Sequence, residues 1–545
     1  MKRIYLIYSL LALLLLPYCN SIDKNSLFSQ TIDKKYKENI GSMDSANSVK
    51  TLVKEIESVL EDKKLLKTRF GIAIYSIDRE RSIFLKNADS ALTPASTTKL
   101  FTTFSALNKF GKDWTINTSI YTDGEMKSDG SLNGNLILYG RGDALLNISD
   151  IEYLASQISS LGIKNIKGNI YADGSFFDTK TDRLSYSGDK DRVEPLPPIT
   201  SLSLEKNSVT VLVTSGKTPG KSVNATLLPP SDAYQMIINA KVTGATKSVK
   251  SKIRKRKVSC LQDNYLNRVG DSPKSKRRKS YVRKGGISIS TKEGVDGKQI
   301  FYINGTLPLN RSYSYSYLIK NPALVAAGAL RDRLELFGIK VNGKIAERKN
   351  SNCDSLRLLT ELKRRSVDLI YVINKNSDNY LAENLFKSIG AHTCLNPDNA
   401  QSMRSVESQI FEKLPVHSKS CILYDGSGLS RRNKLTANSL LSLLLLSHKS
   451  GFYREFDSCL SIAGVDGTLR NRMLGTRAEN NLHAKTGTHG NVSALCGYVT
   501  TLDGERFAFA FIFNGPQVGF YKQIEDKLGV LLADFFYFHE STAKN

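Results

Sequence analysis

The sequence lacks several patterns that would assign a function class at once. It has no CxxC pair, no Cys and His spacing typical of zinc sites, no G-x-S-x-G turn and no internal repeat. These absences argue against a structural zinc domain, an α/β-hydrolase and a repeat protein. Acidic residues are also few: 52 against 77 Lys and Arg, for a net charge of +25. Such an excess suggests contact with a polyanion and says nothing about the fold.

About half of the excess positive charge lies in one segment, 247–284. It contains 15 Lys and Arg and two Asp. A run of this kind is typical of a solvated, flexible insert, and contact with a polyanion such as an acidic wall polymer is the sharper alternative. Because Tyr265 and Tyr281 are its only aromatic residues, a stacking platform for nucleic acid is not predicted, and no nucleic acid is expected as a partner.

Long hydrophobic runs are absent as well. The apolar stretch Ile4–Leu16 is too short for a permanent membrane helix and follows the cationic Met1–Arg3. With small residues at Cys19 and Ser21, it predicts a signal peptide over 1–21 and export to the periplasm or cell envelope. Lipidation of Cys19 is the alternative, because the residues before it loosely resemble a bacterial lipobox.

Cysteines are few, and their pairing cannot be read from the sequence. An even number remains after Cys19, which permits disulfides in an exported protein, although buried unpaired thiols are the simpler expectation. The remaining cysteines are Cys260, Cys353, Cys394, Cys421, Cys459 and Cys496.

Hydrophobic periodicity divides the chain into an outer α/β part and a β-rich insertion. We predict that 49–115 and 368–545 form one discontinuous domain, and that 116–367, with short strands and Gly, Asn and Asp turns, is inserted into it. The predicted outer elements are a helix over 49–66, strands at 71–75 and 82–85, a helix from about Ser96, a helix over 439–448, strands at 494–501 and 506–513, and a helix from about Tyr521.

A first chemical motif is the S-x-x-K run Ser96–Lys99 at a predicted helix start. Residues three apart share a helix face, so the Lys99 ammonium can reach the Ser96 hydroxyl. The helix start also places the Ser96 backbone N–H beside a developing oxyanion. Taken alone, S-x-x-K is equally typical of an exposed helix start.

Another motif is K-T-G-T, Lys485–Thr488, on a predicted strand. Gly487 would let a substrate backbone approach closely. A cation at Lys485 can attract a substrate carboxylate and lower the pKa of Lys99 by like-charge repulsion. The alternative is a solvated lysine before a strand.

Between these two motifs lies the loop Tyr424–Asn433, with the sequence Y-D-G-S-G-L-S-R-R-N. Its glycine-rich turn presents Ser430 beside the amide of Asn433. The Ser430 hydroxyl would suit a second proton relay. The three motifs in this order, the first at a helix start and the last on a strand, are much rarer than any one of them, so together they predict a catalytic site.

The motifs resemble those of serine penicillin-binding proteins and serine β-lactamases. Their contexts are similar to the class C low-molecular-mass penicillin-binding proteins, the DacB-type D-alanyl-D-alanine carboxypeptidase/endopeptidases. A strict S-x-N would place Asn at 432, where the sequence has Arg432, so Asn433 is taken instead. The contexts are Gly140–Asp143, Ile199–Leu204, Ser377–Asn384 and Asp425–Ser430.

The resemblance implies a penicillin-binding transpeptidase-like α/β fold and an acyl-enzyme route on peptidoglycan stem peptides, with β-lactams acylating the same serine and no metal or organic cofactor. Ser96 would be the nucleophile and Lys99 its base. Backbone N–H groups of Ser96 and Thr488 would hold the oxyanion. Ser430, assisted by Lys99 or Lys485, would pass a proton to the leaving amine. Asn433 would hold the substrate amide, and Thr486 with Lys485 would bind the terminal carboxylate, beside Gly487.

Three other readings share part of this pattern. A serine β-lactamase has the same motifs, but the chain has no convincing carboxylate motif for a deacylating water and a much larger insertion. A Ser-His-Asp hydrolase would need an elbow that is missing. A catalytically decayed, basic wall-binding protein would not need Ser96, Lys99 and Lys485 intact.

Overall fold

The computed structural model describes residues 45–190, 195–244, 286–349, 353–414 and 420–537. The predicted signal peptide, Cys19 and the whole of the basic segment 247–284 therefore lie outside the described residues. The helices are α1 (Ser45–Leu60), α2 (Lys99–Phe110), α3 (Ile148–Ser160), α4 (Arg183–Ser187), α5 (Pro322–Leu336), α6 (Ser366–Asn376), α7 (Asn379–Thr393), α8 (Asn399–Lys413), α9 (Ala437–His448), α10 (Tyr453–Ser458) and α11 (Val518–Asp534).

A six-stranded antiparallel sheet joins the two ends of the chain. Its order is β19-β20-β21-β22-β1-β2, so strands from before and after the 116–367 region hydrogen-bond to one another. Phe70 of β1 lies opposite Phe513 of β22 in this register. These strands are β1 (Arg69–Ser76), β2 (Arg81–Lys86), β19 (Ser461–Ile462), β20 (His483–His489), β21 (Val492–Thr500) and β22 (Arg506–Asn514).

Strand β22 shows why this sheet is covered on both faces. Its sequence alternates Phe with smaller apolar residues, and successive side chains of a strand point to opposite faces. The face that carries Phe507 and Phe511 packs in one core with α1 and α11, through residues such as Ile56 and Leu528. The opposite face, with residues such as Ala510, packs in a second core with α2, α7 and α9. Helices therefore lie on both sides of the sheet.

In its described residues, the insertion contains four smaller sheets around a third core. The sequence predicts only short strands here, and this expectation is incomplete, because α3 and α5 also form and pack against each other and the sheets. The strands are β3 (Thr115–Thr122), β4 (Glu125–Met126), β5 (Ser131–Asn133), β6 (Leu136–Gly140), β7 (Asn165–Ile166), β8 (Ile170–Asp173), β9 (Ser208–Thr214), β10 (Asn224–Leu228), β11 (Tyr234–Ile238), β12 (Lys241–Thr243), β13 (Ile287–Glu293), β14 (Gln299–Pro308), β15 (Ser312–Leu318), β16 (Lys340–Val341), β17 (Ile345–Arg348) and β18 (Arg357–Arg365).

Two helix boundaries that differ from the sequence prediction involve 3-10 turns. The helix expected over 49–66 ends at Leu60, and a 3-10 turn at Lys63–Leu65 follows after Asp62, whose side chain accepts from the Lys64 N–H. The helix expected from Ser96 begins as a 3-10 turn, Ala95–Thr98, and becomes α-helical at Lys99. Among the described helices, none combines the length and apolar character needed to cross a membrane.

Candidate active site

Ser96 lies in the 3-10 turn that leads into α2, and Lys99 is the first residue of that helix. The predicted spacing brings the two side chains together: Lys99 Nζ is 2.9 Å from Ser96 Oγ. Ser96 is partly exposed, whereas Lys99 is fully buried. Ala95 has a φ of 51°, a conformation that side-chain-bearing residues rarely adopt, so the turn that presents the serine is strained.

The ammonium group of Lys99 is held by acceptors from three parts of the chain. Besides Ser96 Oγ, Nζ donates to Asn379 Oδ1 at 2.7 Å and to the carbonyl oxygen of Ser427 at 2.5 Å. A protonated lysine has three N–H donors, which this set can use in full. The group is thereby kept beside the hydroxyl whose proton a base would have to accept.

Lys485 lies within β20 and is also fully buried. Its Nζ donates to Ser377 Oγ at 2.9 Å and to the carbonyl oxygen of Thr486 at 2.8 Å. Burial, followed by the positive charge of Lys99, lowers the pKa of Lys485 well below its ordinary value. The sequence predicts the converse effect, in which Lys485 lowers the pKa of Lys99. A lysine with a lowered pKa can exchange a proton at a lower pH than an exposed one.

The second hydroxyl of the site is that of Ser377 and not that of Ser430. Ser430 is buried, and its Oγ donates to Asp189 Oδ1 at 2.9 Å. The amide of Asn433 is used within its own loop: Oδ1 accepts from the Tyr424 N–H at 2.7 Å, and Nδ2 donates to the Asp425 carboxylate. The sequence prediction placed Ser430 and Asn433 against the lysines, but in the structure Ser377 and Asn379 occupy those positions.

A tight turn between α6 and α7 presents these two residues. Ser377 ends α6 with a φ of 57°, and Asp378 begins α7 by accepting from the Leu381 N–H at 2.9 Å. Asp378 also pairs with Lys206 at 2.6 Å. The turn thus points Ser377 at Lys485 and Asn379 at Lys99. The missed signal was a strict S-x-N, Ser377–Asn379, inside a segment that the sequence analysis used only as family context.

Glycine is required at position 487 because strand β20 lies very close to the turn that carries Ser96. A Cβ at this position would lie 2.5 Å from the carbonyl oxygen of Pro94 and 3.2 Å from the Thr97 nitrogen. Strand β20 therefore packs directly on the turn that carries Ser96, and Thr488, which is exposed, comes next along the strand. The sequence predicts a close approach by a substrate at this glycine; in the structure the protein's own turn occupies that space.

Thr486 lies at the outer edge of the same strand and is partly exposed. Its Oγ1 donates to Thr468 Oγ1 at 2.8 Å. Across the ranges that the structure describes, no group of three or more His, Cys, Asp and Glu side chains could hold a metal ion. The groups gathered at the site are serine and threonine hydroxyls, two buried lysines and an amide.

These features define a class of protein. A partly exposed serine bonded to a buried lysine, with a second serine–lysine pair beside it, is an acyl-transfer site in which the hydroxyl attacks a carbonyl. The surrounding fold is that of penicillin-binding proteins: the crystal structure of penicillin binding protein 4 (dacB) from Haemophilus influenzae matches with a TM-score of 0.64 at 22% identity, covering 89% of this chain and 99% of that chain.

The chain belongs to the D-Ala-D-Ala carboxypeptidase 3 (S13) family, which it matches over residues 52–284 and 288–535. It is a serine-type carboxypeptidase. A D-alanyl-D-alanine carboxypeptidase of Actinomadura sp. (strain R39) is 26% identical over 89% of this chain and 85% of that protein. D-alanyl-D-alanine carboxypeptidase DacB of Haemophilus influenzae is 25% identical over 82% and 86%. The family and fold class predicted from the sequence are confirmed.

Proposed function

We propose that the protein cleaves the terminal D-Ala–D-Ala bond of peptidoglycan stem peptides through an acyl-enzyme formed on Ser96. The observation that carries this proposal is the 2.9 Å contact between Ser96 Oγ and Lys99 Nζ. The Ser96 oxygen forms a bond to the penultimate D-Ala carbonyl carbon as its proton passes to the neutral form of Lys99. The C–N bond then breaks, and water later releases the acyl group.

The leaving amine needs a proton, and Ser377 is the group placed to deliver it. Its hydroxyl lies 2.9 Å from Lys485 Nζ, whose pKa is lowered, so the pair can relay a proton. The same turn presents Asn379, whose side chain accepts from Lys99 and would contact the substrate amide. Ser430 and Asn433 have no part in this relay.

Backbone groups and hydroxyls supply the remaining roles. The N–H groups of Ser96 and Thr488 would hold the oxyanion, which is supported by the packing of Gly487 on the Ser96 turn. Thr486 and Lys485 at the strand edge would bind the terminal carboxylate of the peptide. Because that carboxylate is common to D-Ala-D-Ala peptides and β-lactams, both ligand classes fit one site. A crystal structure of the Haemophilus influenzae penicillin binding protein 4 is in complex with a β-lactam.

Peptidoglycan lies outside the cytoplasm, so the proposed substrate agrees with the export predicted from residues 1–21. Contact of the basic segment 247–284 with an acidic wall polymer is a further part of the proposal. It predicts that binding to isolated cell walls weakens as salt is added, since exposed charges are screened. A deletion of 247–284 should remove the salt-dependent part of binding and leave penicillin acylation intact.

The decisive experiment follows intact protein mass after addition of benzylpenicillin, with Ser96→Ala alongside. We expect a persistent one-to-one adduct in the wild-type protein and none in a variant whose circular dichroism is unchanged. Rapid loss of the antibiotic without an adduct would instead make the protein a β-lactamase. The absence of both an adduct and antibiotic turnover would favour the wall-binding function. Release of D-Ala from a stem peptide, or cleavage of crosslinked muropeptides, would then separate carboxypeptidase from endopeptidase activity.

A further inference from the structure

The loop segment 425–430, D-G-S-G-L-S, stands out in the sequence, yet the proposed chemistry uses none of its side chains. Asp425, Ser427 and Ser430 are fully buried. The loop reaches the site through its backbone, because the carbonyl oxygen of Ser427 accepts from Lys99 Nζ at 2.5 Å. The groups that hold the Ser427 carbonyl in place therefore also influence the position of Lys99.

The Ser427 carbonyl and the Gly428 N–H are the two ends of one planar peptide group. The N–H end donates to Asp425 Oδ1 at 3.0 Å, and the carbonyl end accepts from Lys99. A carboxylate, a peptide and an ammonium group are thus joined in one line of hydrogen bonds. In such a chain each bond polarises the next, so the charge of Asp425 strengthens the bond that the Ser427 carbonyl makes to Lys99.

The Asp425 carboxylate is itself held by donors on both oxygens. Asn433 Nδ2 donates to Oδ1 at 2.7 Å, while the Ser430 N–H and Arg183 Nη1 donate to Oδ2 at 2.7 and 2.9 Å. Together with Gly428, every one of these neighbours is a donor, which is the pattern of an ionised carboxylate. Asn433 and the Ser430 backbone therefore serve to orient Asp425.

Close packing fixes the same peptide relative to the nucleophile. Gly428 has a φ of 83°, and a Cβ there would lie 2.0 Å from the carbonyl oxygen of Ala95 and 3.0 Å from Thr98 Oγ1. The loop can approach the Ser96 turn this closely only with glycine at that position. Packing thus sets the distance between the Ser427 carbonyl and Ser96. Asp425 sets the polarisation of that carbonyl.

We propose that Asp425 is a positioning residue for Lys99 and acts through the Ser427–Gly428 peptide. It holds the carbonyl that draws the Lys99 ammonium toward Ser96, and its negative charge stabilises the protonated lysine. Loss of that charge weakens the orientation of Lys99 and favours its neutral form. The inference rests on the proposed roles of Ser96 and Lys99.

The neighbouring peptide provides a matched control. The Ser427 N–H donates to Glu383 Oε1 at 2.8 Å, and the carbonyl of the same peptide, that of Gly426, accepts from Thr102 Oγ1 at 2.9 Å. Glu383 is thus joined through one peptide group to Thr102, in the same way that Asp425 is joined through the next peptide group to Lys99. Burial raises the pKa of Glu383 to about 7, so this carboxyl is largely protonated in acid, and Glu383→Gln changes little charge there.

Other ionisable groups share this environment, and, apart from Glu383 in its own variant, none of them is replaced in either variant. Lys485 and His489 interact with Lys99. The groups that interact with Asp425 directly or through Arg183 are Arg183, Tyr186, Asp189, Glu383, Glu407 and His489.

The test measures the rate of acylation of Ser96 by a fluorescent penicillin as a function of pH. For Asp425→Asn we expect a maximal rate lower by about tenfold to a hundredfold, since a misplaced catalytic group costs this much. We also expect the acidic limb of the profile to move to lower pH, because the neutral lysine is favoured. Glu383→Gln should keep both features within about twofold of the wild type. Its hydrogen-bonded peptide ends on Thr102, so the position of Lys99 and the maximal rate are retained, and most of its charge is already absent on the acidic limb.

An Asp425→Asn profile that matches the wild type would overturn the inference and leave the proposed function standing. Equal losses in Asp425→Asn and Glu383→Gln would also overturn it, since they would indicate general damage to the loop. Absence of acylation in the wild-type protein would contradict the proposed function itself.

A second measurement applies if Asp425→Asn does not fold by circular dichroism. In protein labelled with ¹⁵N-glycine, the amide proton of Gly428 is compared between the wild type and Lys99→Ala. Removal of the ammonium should weaken the Gly428 bond to Asp425 and move this proton upfield, while the amide of Gly490, in an exposed turn, stays in place. An unmoved Gly428 signal would overturn the proposed line of hydrogen bonds.

Discussion

Lys485 and Lys99 are both fully buried in one site, and the charge of Lys99 contributes to the lowered pKa of Lys485. Two neighbouring cations in a dry site disfavour each other's protonated form. A low-pKa lysine is useful for proton transfer, but it is costly for folding because the unfolded chain binds its proton more tightly. The same pair therefore connects activity to stability.

The stability cost at Lys485 gives a pH-dependent prediction. Its folded-state pKa lies below the unfolded value of 10.5, so in the interval between the two values the unfolded state binds more protons and stability rises with pH. Lys485→Met should remove this cost, raising the thermal midpoint by about a few degrees below that interval. Calorimetry across the pH range would detect it, while acylation should be lost. A lower midpoint at every pH would contradict the account.

The two serine assignments can be separated by a pair of matched variants. Ser377→Ala removes the hydroxyl beside Lys485 and should slow acylation by about 10²-fold, a usual loss for a positioned proton-transfer group. Ser430→Ala removes a hydroxyl that contacts Asp189, so the acylation rate should stay within severalfold. Stopped-flow measurement with a chromogenic cephalosporin distinguishes them. The reverse order of effects would restore the Ser430 assignment.

The packing of β20 on the Ser96 turn makes Gly487 a sensitive position. In Gly487→Ala the new methyl would lie 2.5 Å from the Pro94 carbonyl oxygen, so strand and turn must separate. We expect acylation to fall by about tenfold or more through misplacement and stability to fall by about 1–3 kcal/mol through overpacking. The control is Gly490→Ala, where nothing lies within 4 Å of the added methyl. Comparable losses in both variants would contradict this explanation.

The sequence was most informative where a pattern is local. The strand predicted over 506–513 is observed as β22, and the i, i+3 spacing of Ser96 and Lys99 places those groups together even though the turn is 3-10. Local patterns could not predict that Ser377 is the hydroxyl that contacts Lys485. Ser377 and Ser430 both follow plausible turn signals, and only the tertiary placement of Ser377 beside Lys485 decides between them.

Glu407 offers a prediction about stability and not about catalysis. It is fully buried on α8, and neither carboxyl oxygen has a hydrogen-bond partner within the described structure. Burial raises the pKa of Glu407 well above its ordinary value of 4.5. Above pH 4.5 the folded chain keeps a proton that the unfolded chain releases, so stability falls as pH rises, by about 1.4 kcal/mol per unit.

Glu407→Gln removes this titration while keeping the shape of the side chain. We expect chemical denaturation to show a gain in stability at pH 7 that shrinks to nearly nothing at about pH 4, where the carboxyl is protonated in both states. Penicillin acylation should change little at either pH, because Glu407 makes no hydrogen bond within the described structure and, while protonated, adds no charge near Asp425. A gain of equal size at both pH values would mean that shape, and not charge, makes Glu407 costly.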